Sequence, residues 1–456
     1  MNKFQSLLLL FTCTCLTSIN FSLNAQTDTT TSLVKKVGST FKIDEARRDY
    51  ANGNKRAALV GFREALNNDP NSAKAAYWIG RCQYDLSNYG YAIKYARIAL
   101  NLKKGSDPEI NFLIAQSYHR SDMLDSAITQ YKLSLEDFSK ARADELSVKQ
   151  YLSEAERAKE LSATPVVNTR NLYKGDVNTG FDDYAPILTE NGKRIYFSSR
   201  RSNTTGGGVN PDDQAFFEDI YTGEWNASTM KWDSITNTIP RLNSDGFDAI
   251  SDFSSDGQIV YLTVNNTMVP KQKKPTLSSD LYYAKLSGKG TWSSPKALKG
   301  VNSTFFDAAA TITADGLTMY FASERKGTKG RADIWVSHLN GNNWSKPANL
   351  GSVINTSGQE TTPYISPDGK YLYFSSNNRD GIGGYDIYVA EFDGMNWSKP
   401  VNLGLGINSV NDDTHFRYYP ELKLAVLSSI RLIEDKASYD IFYIDMANFI
   451  MPKFEY

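Results

Sequence analysis

Five carboxylates recur along the C-terminal part of the chain: Asp183, Asp248, Asp307, Glu360 and Asp413, at intervals of 65, 59, 53 and 53 residues. Each lies eight residues before a turn position (Asn191, Asp256, Asp315, Asp368, Glu421), and each is preceded at five residues by an asparagine: Asn178, Asn243, Asn302, Asn355 and Asn408. Ringed around one mouth of a channel, such acids would focus a negative potential able to hold a cation or a basic peptide. Set beside turns, Asp and Asn instead hydrogen-bond loop backbone, and a residue demanded in every copy of a repeat points to architecture more than to chemistry. Glycoside hydrolysis is the third chemistry to weigh. It needs two carboxyl groups in unlike environments, one with a raised pKa and one ionised, whereas repeat-equivalent acids predict like environments. The chain has no Gly-x-Ser-x-Gly elbow, His-Glu-x-x-His or Cys-x-x-Cys, and its three histidines, His119, His338 and His415, offer little for a triad. The expectation is a protein that is not an enzyme and holds no cofactor or metal.

The elements that must position these acids are strands. The stretch Ser366 to Pro400, "SPDGKYLYFSSNNRDGIGGYDIYVAEFDGMNWSKP", contains an Asp-Gly turn, an alternating strand, a Gly-rich loop, a second strand opened by Asp386 and then Trp397. Glycine accepts the positive φ that such hairpin turns require. Asp219, Asp280, Asp333, Asp386 and Asp440 open the corresponding strand in each copy, and Trp232, Trp292, Trp344 and Trp397 follow the first four. Five copies of a four-stranded unit predict a five-bladed β-propeller over 165–449. The fifth copy ends without an outer strand, which Val166 to Leu172 would supply, pairing two otherwise open edges. The units resemble the TolB-like, WD40-like propeller repeat, whose hallmark is "SPDGKYLYFSS…GGYDIYV". Two long loops, Arg201 to Glu218 and Thr263 to Ser279, fall on the same face as the acids. Lys271, Lys273 and Lys274 lie in the second, and such loops are where binding usually resides.

Ahead of the propeller the period changes. Ala46, Gly80 and Ala115, then Ala58, Ala92 and Ala127, then Ala65, Ala99 and Ser134 repeat at 34 and 35 residues, the tetratricopeptide spacing. "AALVGFREALNNDP" resembles that repeat, with Ala58, Phe62, Ala65 and Pro70 at its small, aromatic, small and proline positions. The resemblance implies a tetratricopeptide α-solenoid over 43–161, about three helix pairs and a capping helix from Ala143 to Leu161. It also implies a concave groove for extended peptides or partner helices, lined by Arg47, Tyr50, Tyr77, Arg81, Tyr84, Phe112, Gln116 and His119. Packing between repeats is the competing role for several of these aromatics.

A net charge of -1 with 22% charged residues argues against a nucleic-acid binder. Lys3, the apolar stretch from Leu7 and the small Ala25 read as a signal peptide over 1–25, with lipidation at Cys13 or Cys15 as the minority alternative. Cys82, alone after that leader, is expected to pack in the core. Helical repeats followed by such a propeller resemble the N-terminal part of periplasmic proteins that end in an OmpA-like domain, including type IX secretion and gliding-associated proteins. With no such domain before Tyr456, the expectation is a periplasmic scaffold or adaptor that binds envelope proteins or peptides through groove and propeller face. Peripheral outer-membrane association fits this picture, and a carbohydrate-active or glycan-binding propeller using central carboxylates is the alternative.

Overall fold

A computed structural model describes residues 17–456 apart from 106, 164–165, 167, 211–212, 266–277 and 434–435, with side chains from residue 33 onward except those of 433 and 436. The side chains of the expected leader, with Cys13 and Cys15, lie outside the described residues, as do Lys271, Lys273 and Lys274. No helix among the described residues is long and apolar enough to cross a membrane.

Among the described residues, eight helices come first: α1 (Thr17–Ala51), α2 (Lys55–Asn68), α3 (Ala73–Asp85), α4 (Tyr89–Lys103), α5 (Pro108–Arg120), α6 (Leu124–Asp137), α7 (Lys140–Glu145) and α8 (Val148–Ser162). Their starts carry side-chain caps that satisfy orphan amides: Asn54 accepts from the Ala57 amide at 3.0 Å, Ser72 from Ala75 at 3.2 Å, and Asp107, just before Pro108, from Glu109 at 3.0 Å. The recurrent small residues permit close crossing. A Cβ on Gly80 would sit 3.2 Å from the Ala92 carbonyl oxygen and the Ala96 amide. Cys82 is fully buried in the first core cluster. The expected capping helix is split in two, because Ser147 takes a left-handed conformation between α7 and α8.

The chain then forms five antiparallel sheets, the blades. Their inner strands are Asp183–Thr189, Phe247–Phe253, Asp307–Ile312, Glu360–Ile365 and Asp413–Tyr419 for blades 1 to 5. Gly257, Gly316 and Gly369 hold φ of 67°, 71° and 71° in the turns leaving three of them, the conformation for which Gly is required. Strand Arg170–Leu172 pairs with Lys436–Asp445, Arg170 opposite Ile444, so the N-terminal segment closes blade 5 as expected. An apolar cluster fills each of the five seams between blades, for example Tyr320, Ile334, Ile365 and Phe374 between blades 3 and 4, and Tyr173, Phe197, Val426 and Ile441 between blades 5 and 1. A sheet buried on both faces against neighbouring sheets needs apolar side chains at consecutive strand positions, since successive residues point to opposite faces, as in Tyr371–Ser376.

The helical array rests on the propeller. Leu124, Ala158 and Leu161 meet Ile382, Leu405 and Val410 in a shared cluster, His119 Nε2 lies 3.0 Å from the Ile382 carbonyl, and Arg157 donates to the Gly381 carbonyl at 2.7 Å. The array therefore covers loops of blades 4 and 5 on the face where the inner strands begin.

Candidate functional site: the propeller channel and its two faces

The five repeated acids are inside the blades. Asp183, Asp307, Glu360 and Asp413 have no exposed surface and Asp248 has 1%. Each accepts the backbone amide of the residue four before it, at 2.6 Å from Thr179, 2.6 Å from Ser244, 2.5 Å from Ser303, 2.8 Å from Thr356 and 2.6 Å from Ser409, and also that residue's hydroxyl. Arginines neutralise three of them: Arg201 on Asp183 and Arg325 on Asp307 at 2.5 Å, and Arg170, from the closing strand, on Asp413 at 2.7 Å. Asp248 has no such partner among the described residues, and burial pushes its carboxyl up to about 7. The expected ring at the channel mouth is thus corrected, because all five acids are buried and each is bonded to the loop that enters its own strand instead of facing the channel.

Register explains why two acid series recur. In each blade both acids flank one residue of the middle strand: Asp183, Ser199, Asp219; Asp248, Val264, Asp280; Asp307, Ser323, Asp333; Glu360, Ser376, Asp386; Asp413, Ser429, Asp440. The recurrent asparagines clip blades together. Asn243 holds the Ile220 amide at 2.8 Å and carbonyl at 2.9 Å, and Asn302, Asn355 and Asn408 do the same to Leu281, Ile334 and Ile387. Asn178 closes the ring on Ile441 at 2.7 Å and 2.9 Å.

What distinguishes the blades is the position four residues after each acid, occupied by Ile187, Asp252, Thr311, Tyr364 and Arg417. Asp252 and Arg417, 7% and 8% exposed, form an ion pair at 2.8 Å. Asp252 also accepts from the Thr311 hydroxyl at 2.8 Å and the Ile312 amide at 3.1 Å, while the Arg417 guanidinium lies 4.9 Å from the Tyr364 ring centre. These groups wall a cavity of about 820 Å³ that opens among the inner turns and includes Tyr196, Phe253, Trp292 and Tyr419. Toward the other face only about 20 Å³ remains, beside His415, whose imidazole burial and the Arg417 charge hold well below its ordinary pKa, at about 3. Sequence reasoning missed Asp252 and Arg417 because it sought what recurs, yet departure from the repeat at one fixed offset was there to be read.

The helical groove is divided. Arg47 is exposed over the Trp78 ring, and Tyr77 and Tyr84 are half-buried. Arg81 ties the rest together, donating to the Tyr50 hydroxyl at 3.2 Å and Gln116 at 3.3 Å and pairing with Asp85 at 2.9 Å. Phe112, Gln116 and His119 are not groove surface, a correction: Phe112 packs on Tyr151 of α8 at 5.7 Å, Gln116 is 4% exposed, and His119 faces the propeller. α8 and the blade 4 loop occupy the place a ligand would have taken there. Among the described residues no group of three or more His, Cys, Asp or Glu could hold a metal ion.

No family profile and no curated protein matches the chain. Similar solved structures include a glycoside hydrolase (10% identity, TM-score 0.42, 66% of this chain and 99% of that one) and the α-L-arabinofuranosidase of Podospora anserina (12%, 0.36, 60% and 93%). A puromycin-hydrolysing peptidase of Mycobacterium tuberculosis is also similar (13%, 0.33), with 57% of this chain matching 38% of that one. Likeness at this level concerns the fold and assigns no activity. The expectation of a protein that is not an enzyme is corrected at its premise: the repeat-equivalent carboxylates are not the only acids of the channel, since Asp252 on the cavity wall has no acidic counterpart at the same offset in the other blades.

Proposed function

We propose that the protein is an interaction protein of the cell envelope, with its helical array seated on one propeller face and a ligand taken at the channel mouth on the other. The observation that supports this is the concentration of blade-specific residues, Asp252, Tyr364 and Arg417, around one open cavity, while the repeated acids and asparagines are consumed by bracing. A partner segment entering the mouth would meet a charged pair flanked by aromatic surfaces. A carbohydrate ligand, bound or cleaved, is the second reading. It is favoured by a carboxylate on the channel wall near the rings of Tyr196, Phe253 and Trp292, since sugars offer C–H faces to rings and hydroxyls to Asp and Arg.

The test runs both arms on one protein. The chain and its Asp252→Asn variant are used as bait in crosslinked envelope and are titrated with arabinan, fructan and peptidoglycan oligosaccharides while reducing ends are assayed. A protein captured by the parent and lost by the variant supports the adaptor. Saturable sugar binding or release of reducing ends lost in the variant supports the second reading, and parent and variant behaving alike in both arms removes the channel mouth from consideration.

A further inference from the structure

Blade 4 departs from its siblings at one arginine. In blades 1 and 3, Arg201 and Arg325 follow the middle-strand serine by two residues, so Nε reaches that serine's hydroxyl at 2.9 Å and 2.8 Å and Nη2 reaches the blade acid. In blade 4 the arginine follows by three. Ser376 donates to Glu360 at 2.7 Å, as Ser199 does to Asp183, but Arg379 bonds neither and donates to the Val353 carbonyl at 3.1 Å and to that of Ile354. Its Nε has no acceptor, and neither does the hydroxyl of Tyr388, a residue only 2% exposed whose oxygen lies beside the Asn402 side chain.

Both residues line a cleft of about 650 Å³ between α8 and the outer edge of blade 4, where the C-terminal segment also lies. Gln150 contributes from the helical side, and Lys399 and Lys453 stand on the cleft with no ion-pair partner among the described residues. Of the acids there, Asp380 is engaged by Arg157 at 3.4 Å, which leaves Glu455 against three cations. The carboxyls nearby are Glu360, whose charge acts on Arg379 from within blade 4, and Glu154 and Asp386 beside Tyr388, both shifted upward by burial, which lessens their opposition to an anion. A buried guanidinium nitrogen and a buried hydroxyl without acceptors are costly unless something supplies one.

We propose that this cleft between α8 and blade 4 binds a small oxyanion-bearing molecule, a carboxylate or a phosphate, with Arg379 and Tyr388 as its donors and Lys399 and Lys453 at its rim. Such a ligand would touch helical array and propeller at once, through Gln150 on one side and Arg379 on the other. The site stands independently of the channel mouth.

Calorimetric titration of the full chain with inorganic phosphate and, separately, succinate at constant ionic strength tests this. Saturation by either anion is expected, with phosphate alone or succinate alone identifying the group. Affinity should fall about tenfold in Arg379→Gln, the loss of one charge-assisted hydrogen bond, and less in Tyr388→Phe. The phenylalanine variant loses a hydroxyl that has no protein acceptor and only Asn402 beside it, so it should melt close to the parent and separates lost binding from misfolding. Absence of saturation by both anions, or both variants binding as the parent does, overturns the proposal.

Discussion

Asp252 and Arg417 lie on blades 2 and 5, 165 residues apart in sequence, and meet at 2.8 Å inside the propeller channel. Removing one partner leaves a buried charge unpaired, so Arg417→Met should cost about 3–5 kcal/mol. Replacing both, Asp252→Asn with Arg417→Met, should recover a substantial part of that loss, because no uncompensated charge remains. Thermal melts of the two single variants and the double variant measure the coupling. Additive losses would mean that the pair is not a unit.

The repeated acids should behave as braces. Asp307→Asn removes the charge facing Arg325 and weakens the acceptor of the Ser303 amide, and a loss of about 3–5 kcal/mol is expected for a buried pair broken on one side. Calcium should neither raise the parent's melting temperature nor rescue the variant. A calcium-dependent rise would return the acids to ligand binding.

Ring closure rests on a short strand with one strong side chain. Arg170 bonds Asp413 at 2.7 Å and the Ser429 hydroxyl at 2.8 Å, so Arg170→Ala should expose blade 5 before the others. Hydrogen exchange would show this as faster exchange confined to the strands Leu424–Ile433 and Lys436–Asp445 and the inner strand of blade 1. Uniform exchange across all five blades would contradict it.

Stability should fall as pH rises through the acid-to-neutral range. Burial pushes Glu154, on α8 at the seam with the propeller, up to about 7 from an ordinary 4.5. A carboxyl whose folded pKa is raised holds its proton more tightly when folded, so its contribution is complete below about 4.5 and is lost progressively up to about 7. Glu154→Gln should flatten that part of the profile and stabilise the protein at pH 8, by on the order of 3 kcal/mol at most. A Gln variant with the parent's slope between pH 5 and 7 would assign the dependence to other buried carboxyls, among them Asp248 and Asp440, which burial raises from 3.8 to about 7 and about 6.

Local signals carried much of this protein. The 34-residue spacing of small residues, the Asp-Gly turns and the recurrent Asp, Asn and Trp determined helical pairs and five blades, because each is a property of neighbouring backbone: a close helix crossing, a positive φ, an alternating strand; the borrowed closing strand followed from the count of copies, the fifth lacking an outer strand of its own. Tertiary structure decided what the charged residues do. Whether Asp183 faces water or a loop amide depends on register with Ser199 and on Arg201 folding back over it, and neither is written in spacing. His119, placed in a groove by its helical position, is covered because a loop more than 260 residues later packs there. The Asp252 and Arg417 pair arises only when the ring closes and brings blade 5 against the channel, since desolvation and pairing depend on distances that the linear order does not contain.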